Sequence, residues 1–176
     1  MRAMRHYIDT VAPKYELPPD LVAAIVSVES SGDRFAIRVE PGYRWLWDVK
    51  RNRPFRVTAA VAKLRVAPEN FPATSGMSRN TEWIGQQTSW GLMQVMGAVA
   101  RGQGFKGHFP ALCDPLEGLH AGCRHLARLR DQHFDQAGWA GVVDAYNDGN
   151  PRIESPKDYP HKVAAAGASH LLVLPA

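Results

Sequence analysis

Sulfur is scarce in this chain, and long apolar runs are absent. Among 176 residues only Cys113 and Cys123 are cysteines. Asp114-Pro115-Leu116-Glu117 between them reads as a helix start: Asp114 is the N-cap, Pro115 sits in the first turn and Glu117 completes a capping-box-like pair. Helical rise of about 1.5 Å per residue then carries the two thiols beyond the roughly 7 Å between Cα atoms that a disulfide spans. Both are expected to be reduced. The seven histidines, His120 and His125 among them, form no tight quartet with the cysteines, which argues against a metal centre. No stretch approaches the ~20 apolar residues needed to cross a bilayer. Leu171-Leu172-Val173-Leu174 is far too short for an anchor and reads as a last packed strand or turn. Met1 to Asp9 lacks the apolar core of a signal peptide, so the chain is expected to be made and kept in the cytosol unless another system exports it. Internal repeats and low-complexity tracts are also missing, which removes solenoids and linker-rich architectures.

What remains is the composition of an ordinary soluble globular protein, 45% hydrophobic and 22% charged. The length suits one domain with a real core. The formal charge is +4 and the pI about 9.3, a balance that favours a polyanionic partner. Nucleic acid and the anionic envelope of a bacterium both qualify. The basic cluster Lys50, Arg51, Arg53 and Arg56 lies in no recognisable nucleic-acid-binding motif and reads as a solvated loop.

Apolar spacing predicts helices over most of the chain. Tyr7, Ile8, Val11 and Tyr15 mark a first one, weakened at Pro13. Pro18-Pro19-Asp20 opens a second, with Leu21, Val22, Ile25, Val26 and Val28 at three- and four-residue steps and Gly32 suited to a left-handed stop. From Asp33 to Ser89 the pattern loosens. Pro41, Pro54, Pro68 and Pro72 interrupt it, and apart from a short helix at Val57 to Val66 and a possible small β-hairpin it reads as loops. Its apolar content is too thin for a core of its own. Further helices are predicted at 97–101, 115–133, 138–147 and 156–166. The fold class is mainly α.

Three strings carry chemistry. Glu29-Ser30-Ser31-Gly32 ends the second helix, Gly91-Leu92-Met93-Gln94 follows Thr88-Ser89-Trp90, and Ala145-Tyr146-Asn147 meets the turn Asp148-Gly149-Asn150. A glutamate in the last turn of a helix feels the negative end of the dipole, and Ile25 and Val26 beside it exclude water. Both effects favour the protonated acid, the form that can protonate a glycosidic oxygen. Taken alone, a solvated surface glutamate explains Glu29 better, a buried apolar stretch explains residues 91–94, and a core tyrosine with a C-cap asparagine explains 146–147. A second carboxylate, as many glycosidases use, has four candidates: Glu40, Asp48, Glu82 and Asp148. Surface or structural roles suit each of them better.

In this order the three strings resemble the signature of SLT-type lytic transglycosylases, relatives of goose-type lysozyme that cut the glycan strands of bacterial peptidoglycan. The resemblance spans Glu29 to Tyr159. It implies a lysozyme-like single domain over 1–176 with a long insertion at about 33–89. It implies that Glu29 is the one catalytic residue, acid first and base afterwards. It places Ser30, Gly91, Leu92, Met93, Gln94, Tyr146, Asn147 and Tyr159 along the substrate cleft. Met93 would border the acid, and the Gln94 amide would suit recognition of N-acetyl sugars. Tyr159 and Val163 resemble a later Tyr…Val pattern of the family. No metal or organic cofactor is implied, and a monomer acting on peptidoglycan, with neither nucleic acid nor membrane insertion, is expected. Two departures stand out. Asp148 replaces the alanine frequent before the last glycine of the third string, and the gap from Gly32 to Gly91 is long. That gap, with Arg38-Val39-Glu40-Pro41 and Ser89-Trp90-Gly91, resembles enzymes of bacteriophages and prophages. It implies an endolysin that reaches the wall after a holin opens the membrane, or a virion-associated enzyme. A water-using muramidase on the same scaffold, or a non-catalytic wall-binding or virion structural protein, is the alternative.

Overall fold

Pro13 shapes the first turn of the structure, a computed structural model that describes residues 2–74, 76–151 and 158–174. Helix α1 (Arg2–Val11) gives way at Ala12–Tyr15 to a tighter 3-10 turn. Proline has no amide hydrogen to continue the α ladder, so the helix expected over 5–15 is two pieces. Arg130 closes that turn, donating from Nη1 to the carbonyls of Tyr15 (2.9 Å) and Glu16 (3.0 Å). Among the described residues there are seven α-helices, and 56% helix makes the class mainly α.

Contacts group the chain into two units, Met1–Asp33 with Gly122–Ala176, and Arg34–Ala121. In the first unit, α2 (Pro19–Ser30) starts with proline and Asp20 in its first turn, as helix N-termini prefer. Leu21, Val22, Ala24, Ile25 and Val26 are all fully buried. A helix apolar on nearly every side belongs in an interior, and α2 touches α1, the later helix α7 (Asp158–Val163) and the wide turn at 164–168. The chain turns left-handed at Ser31 (φ 54°) and stays so at Gly32 (φ 82°), the glycine expected to make the turn. The Ser31 N–H still bonds the Ser27 carbonyl, at 3.1 Å.

Helix α6 (Pro115–Asp148) is capped as expected: Asp114 Oδ1 accepts from the N–H groups of Leu116 (3.0 Å) and Glu117 (3.2 Å). Gly138, at φ 57° and ψ −165°, breaks it. That combination is essentially closed to residues with a Cβ, and it separates the two helical stretches that the spacing predicts. From Gly122 onward α6 contributes Cys123, Leu126, Leu129, Val142, Val143 and Ala145 to the interior of the first unit. Val163, Ala168 and Leu172 complete it, while Val173 is exposed and the end is a turn rather than a strand. The start of the helix predicted at 156–166 lies outside the described residues. No described helix is long and apolar enough to cross a membrane.

The second unit holds what the sequence analysis reads as loops. Strands β1 (Ile37–Val39), β4 (Thr88–Trp90) and β5 (Val95–Met96) form an antiparallel sheet in the order β1-β4-β5, with Ile37 opposite Trp90. Strands β2 (Trp45–Asp48) and β3 (Arg53–Arg56) form the hairpin. The helix expected at 57–66 shrinks to α3 (Ala59–Ala62), capped by Thr58. Helix α4 (Arg79–Gln86), capped by Ser78, was not foreseen, and α5 (Gly97–Gly102) runs one residue past its expected end. Leu46, Ala67, Phe71, Trp83 and Ala98 form a core with Tyr43, Phe55, Val57 and Val61 against it. The Phe71 ring meets those of Phe55 and Trp83 edge-on, at 5.2 and 5.0 Å. Four of these five buried residues lie within 33–89, and Ala98 is supplied by α5.

Candidate active site

Two tyrosines of the first unit lie close to one carboxylate. Glu29 stands in the last turn of α2, partly exposed, one turn beyond the buried Ile25 and Val26. The Tyr159 hydroxyl, carried by α7, donates to Glu29 Oε1 at 2.5 Å across 130 residues of sequence. Burial first, then the charge of Glu29, the neighbouring Tyr146 and that hydrogen bond, hold the Tyr159 phenol far above its ordinary pKa. Tyr146, near the end of α6, is shifted the same way, by burial first and then by the charge of Glu29 and by Cys123. Both phenols therefore stay protonated at any working pH. When Glu29 is ionised the tyrosine is the donor and the carboxylate the acceptor, a charge-assisted bond of the stronger kind.

Behind Tyr146 lies His125, with ring centroids 5.3 Å apart. Burial, reinforced by the charge of Arg128, lowers the His125 imidazole to about 4, so it is neutral near pH 7 and brings no charge to the site. Both cysteines are free, and burial pushes the Cys123 thiol up to about 12. Cys123 is inert packing in this setting. Sequence spacing alone gives His125 no role beyond failing to complete a Cys/His quartet. Its place behind the tyrosine is legible afterwards from spacing, since His125 and Cys123 both lie on the first half of α6.

The remaining site candidates take different places. The Ser30 hydroxyl turns back to the Val26 carbonyl (3.1 Å) and accepts from the Gly32 N–H (3.3 Å), which finishes α2. Asn147 is exposed, and its Nδ2 donates to Asp148 Oδ1 at 2.9 Å. Residues 91–94 belong to the second unit. Gly91 has φ 69°, and a Cβ on it would stand 2.3 Å from the Leu112 carbonyl oxygen, so both conformation and space require glycine. Leu92 and Met93 are buried. Gln94, itself left-handed at φ 48°, donates from Nε2 to the carbonyls of Ala36 (2.9 Å) and Gly91 (3.0 Å) and accepts from the Ser89 hydroxyl (2.9 Å). Its amide ties β1 to the turn between β4 and β5.

The second-carboxylate candidates resolve into structural parts. Glu82 is fully buried and bound to the buried Arg101 by two bonds, Nε to Oε1 at 2.8 Å and Nη2 to Oε2 at 3.0 Å. Asp48 Oδ1 accepts from the N–H groups of Lys50 (3.0 Å) and Arg51 (2.9 Å) in the hairpin turn. Glu40 pairs with Arg38, and Asp148 takes the Asn147 amide.

The family model described as Transglycosylase SLT domain matches residues 72–167. No curated protein and no solved structure matches the chain. Tyr146 and Tyr159 lie inside the matched span and Glu29 outside it, so the hydrogen bond joins the glutamate to one matched residue, Tyr159. With more than half of its length matched, the chain belongs to the SLT transglycosylase domain family and is a peptidoglycan lytic transglycosylase, a lyase of the mainly-α, lysozyme-like kind.

Proposed function

We propose that Glu29 carries the reaction, and that the bond cut is the β-1,4 link from N-acetylmuramic acid to N-acetylglucosamine. The observation that supports this reading most is the 2.5 Å hydrogen bond from Tyr159 to a partly exposed carboxylate at a helix end. Glu29 in its acid form gives its proton to the glycosidic oxygen. The bond from C1 of the muramic sugar to that oxygen breaks, assisted by the 2-acetamido group of the same sugar. Glu29, now a carboxylate, removes the proton from the 6-hydroxyl, whose oxygen bonds to C1 and closes the 1,6-anhydro ring. One carboxyl group serves both steps, and water is not consumed. The obligate donor Tyr159 holds the carboxylate between them and steadies its charge.

The organisation fitting this chemistry is one lysozyme-like domain with an insertion at about 33–89, working as a monomer on glycan strands. The length of that insertion and its flanking strings support a phage-type endolysin. Such an enzyme is made in the host cytoplasm and reaches the wall after holin release or on a virion. Mass spectrometry of muropeptides released from purified wall tests the chemistry: anhydro products, one water lighter than hydrolytic ones, are expected. Exclusively hydrated products would make the protein a muramidase instead.

A second result should follow from the phenol. Tyr159→Phe removes the hydroxyl and keeps the ring, so the unit should stay folded. A hydrogen bond to a charged group is worth about 1.5–3 kcal/mol, which corresponds to roughly 10- to 100-fold in rate. We expect a fall of that size in kcat for wall cleavage, with KM little changed. A variant with parental kcat would reduce Tyr159 to packing.

A further inference from the structure

The second unit has an open groove of about 870 Å³ among residues 50–79, and a smaller one of about 400 Å³ beside it. Lys50, Ala73 and Thr74 line both, so the two are continuous. Lys50, Arg51 and Arg79 bring cationic groups to the larger part and Lys106 to the smaller, against one acidic side chain, Glu69. The cations are not equal. Arg51 is partly answered by Asp48, 3.1 Å away. Arg101, which also reaches the smaller groove, is spent on Glu82. Among the described residues no carboxylate pairs with Lys50, Arg79 or Lys106. Arg79 is nonetheless held in place, since its Nη1 donates to the Glu69 main-chain carbonyl at 2.5 Å. That bond leaves most of its guanidinium fork for another acceptor.

The walls are not those of a simple anion trap. Phe71, Pro72 and Met77 supply apolar surface in the larger part, and Trp47 and Phe105 in the smaller. The floor is firm, because the Thr74 hydroxyl donates to the buried Glu82 at 3.1 Å and Gln86 clasps the Trp47 backbone with bonds of 2.8 and 3.0 Å. A ligand matching this lining is elongated and has several carboxylates, short apolar side chains and one amino group for Glu69. A phosphate polymer or nucleic acid would use the cations and leave Glu69 unanswered. A zwitterionic peptide uses both.

We propose that this groove binds the peptide stem of the wall polymer, a short peptide bearing carboxylates and a side-chain amine. This rests on peptidoglycan being the substrate. Lys50, Arg79 and Lys106 receive the carboxylates, Glu69 receives the amine, and Phe71 and Met77 cover the alkyl portions. The stem is thereby a recognition element in its own right, gripped by residues of the 34–121 unit that take no part in the bond cleavage.

Calorimetric titration of the full chain with an N-acetylated wall-stem tetrapeptide, its carboxylates and side-chain amine free, tests the assignment. Saturable binding is expected. Lys50→Ala with Lys106→Ala should weaken it at least about tenfold, a loss of roughly 1.4 kcal/mol. Both lysines are exposed, so the fold should not suffer. Arg53→Ala, which removes a charge outside the groove, should leave affinity unchanged. Glu69→Gln should weaken the free-amine peptide and not one whose amine is acetylated. Absence of binding by the parent, or equal binding by the double-lysine variant, would overturn the proposal. So would stronger binding of inorganic polyphosphate than of the peptide, tightened by Glu69→Gln, which would assign the groove to phosphate. Release of anhydro-muropeptides by the same preparations is followed separately. If release persists while peptide binding is absent, the groove assignment falls and the catalytic reading stands.

Discussion

Glu29→Gln should lower the rate of muropeptide release by at least about a hundredfold, the usual scale for losing a general acid–base group, while the protein melts close to the parental temperature. The two expectations come from the same geometry. Glutamine has the shape of glutamic acid, and its amide oxygen can accept the Tyr159 hydroxyl in place of Oε1. The partly exposed position spares the variant the cost of a buried unpaired group. It has no proton to give the leaving oxygen and no carboxylate to take one from the 6-hydroxyl. Circular dichroism melts and muropeptide release from one preparation check both halves. A well-folded variant with near-parental release would remove Glu29 from the mechanism.

The largest effect on stability should come from Glu82, one of the four candidates for a second catalytic carboxylate, and its partner Arg101. Glu82 and Arg101 have side chains 0% and 1% exposed, and they meet through two bonds. Arg101 also donates to the carbonyls of Phe105 and Gly107, both at 2.9 Å, and lies over the Phe109 ring at 4.2 Å. Glu82 takes further bonds from Thr74 and Gln86. Glu82→Leu would leave a guanidinium in the interior with no counter-charge, at a cost of about 3–5 kcal/mol. Replacing both partners, Glu82→Leu with Arg101→Met, removes the stranded charge, and such replacements are often neutral or better. Denaturant unfolding of the three proteins should rank the single variant lowest. A single variant within about 1 kcal/mol of the parent would mean that the pair is not buried in solution.

These two sites also show what the sequence made legible. Glu29 could be placed because its helix follows apolar spacing from Leu21 to Val28 and ends in Ser31-Gly32, so its last turn was visible without coordinates. Asp114 and Pro115 announced α6 in the same way, whereas Gly138, read from spacing as the start of another helix, is the break within it. Helix α4 escaped because its hidden face is polar. Glu82 and Gln86 are buried beside Trp83, and a search for apolar periodicity does not register a face whose carboxylate and amide are satisfied by Arg101 and the Trp47 backbone. The β1-β4-β5 sheet escaped for a related reason. Thr88 and Ser89 are buried hydroxyls, while Ile37 and Val39 are exposed, so apolar content pointed the wrong way on both strands. Gln94 illustrates a different difficulty. Spacing identified the string but not the direction of the amide, which serves Ala36, Gly91 and Ser89. Tyr159 was named from the family pattern alone, and its bond to a residue 130 positions away is the kind of contact that local pattern does not contain.

That separation bears on how the enzyme comes into being. Glu29 is made well before Tyr159, and in sequence the whole 34–121 unit comes between the two segments of the unit they share. At equilibrium so long an excursion is cheap, since closing a loop costs only about 0.6 kcal/mol more for each doubling of its length. In time it is expensive, because contacts between distant parts of a chain form slowly. A growing chain that has reached α5 already carries its glutamate but not the phenol that orients it. The Glu29–Tyr159 bond therefore forms only after synthesis has passed α7, and a product truncated before it keeps the carboxylate without its tyrosine.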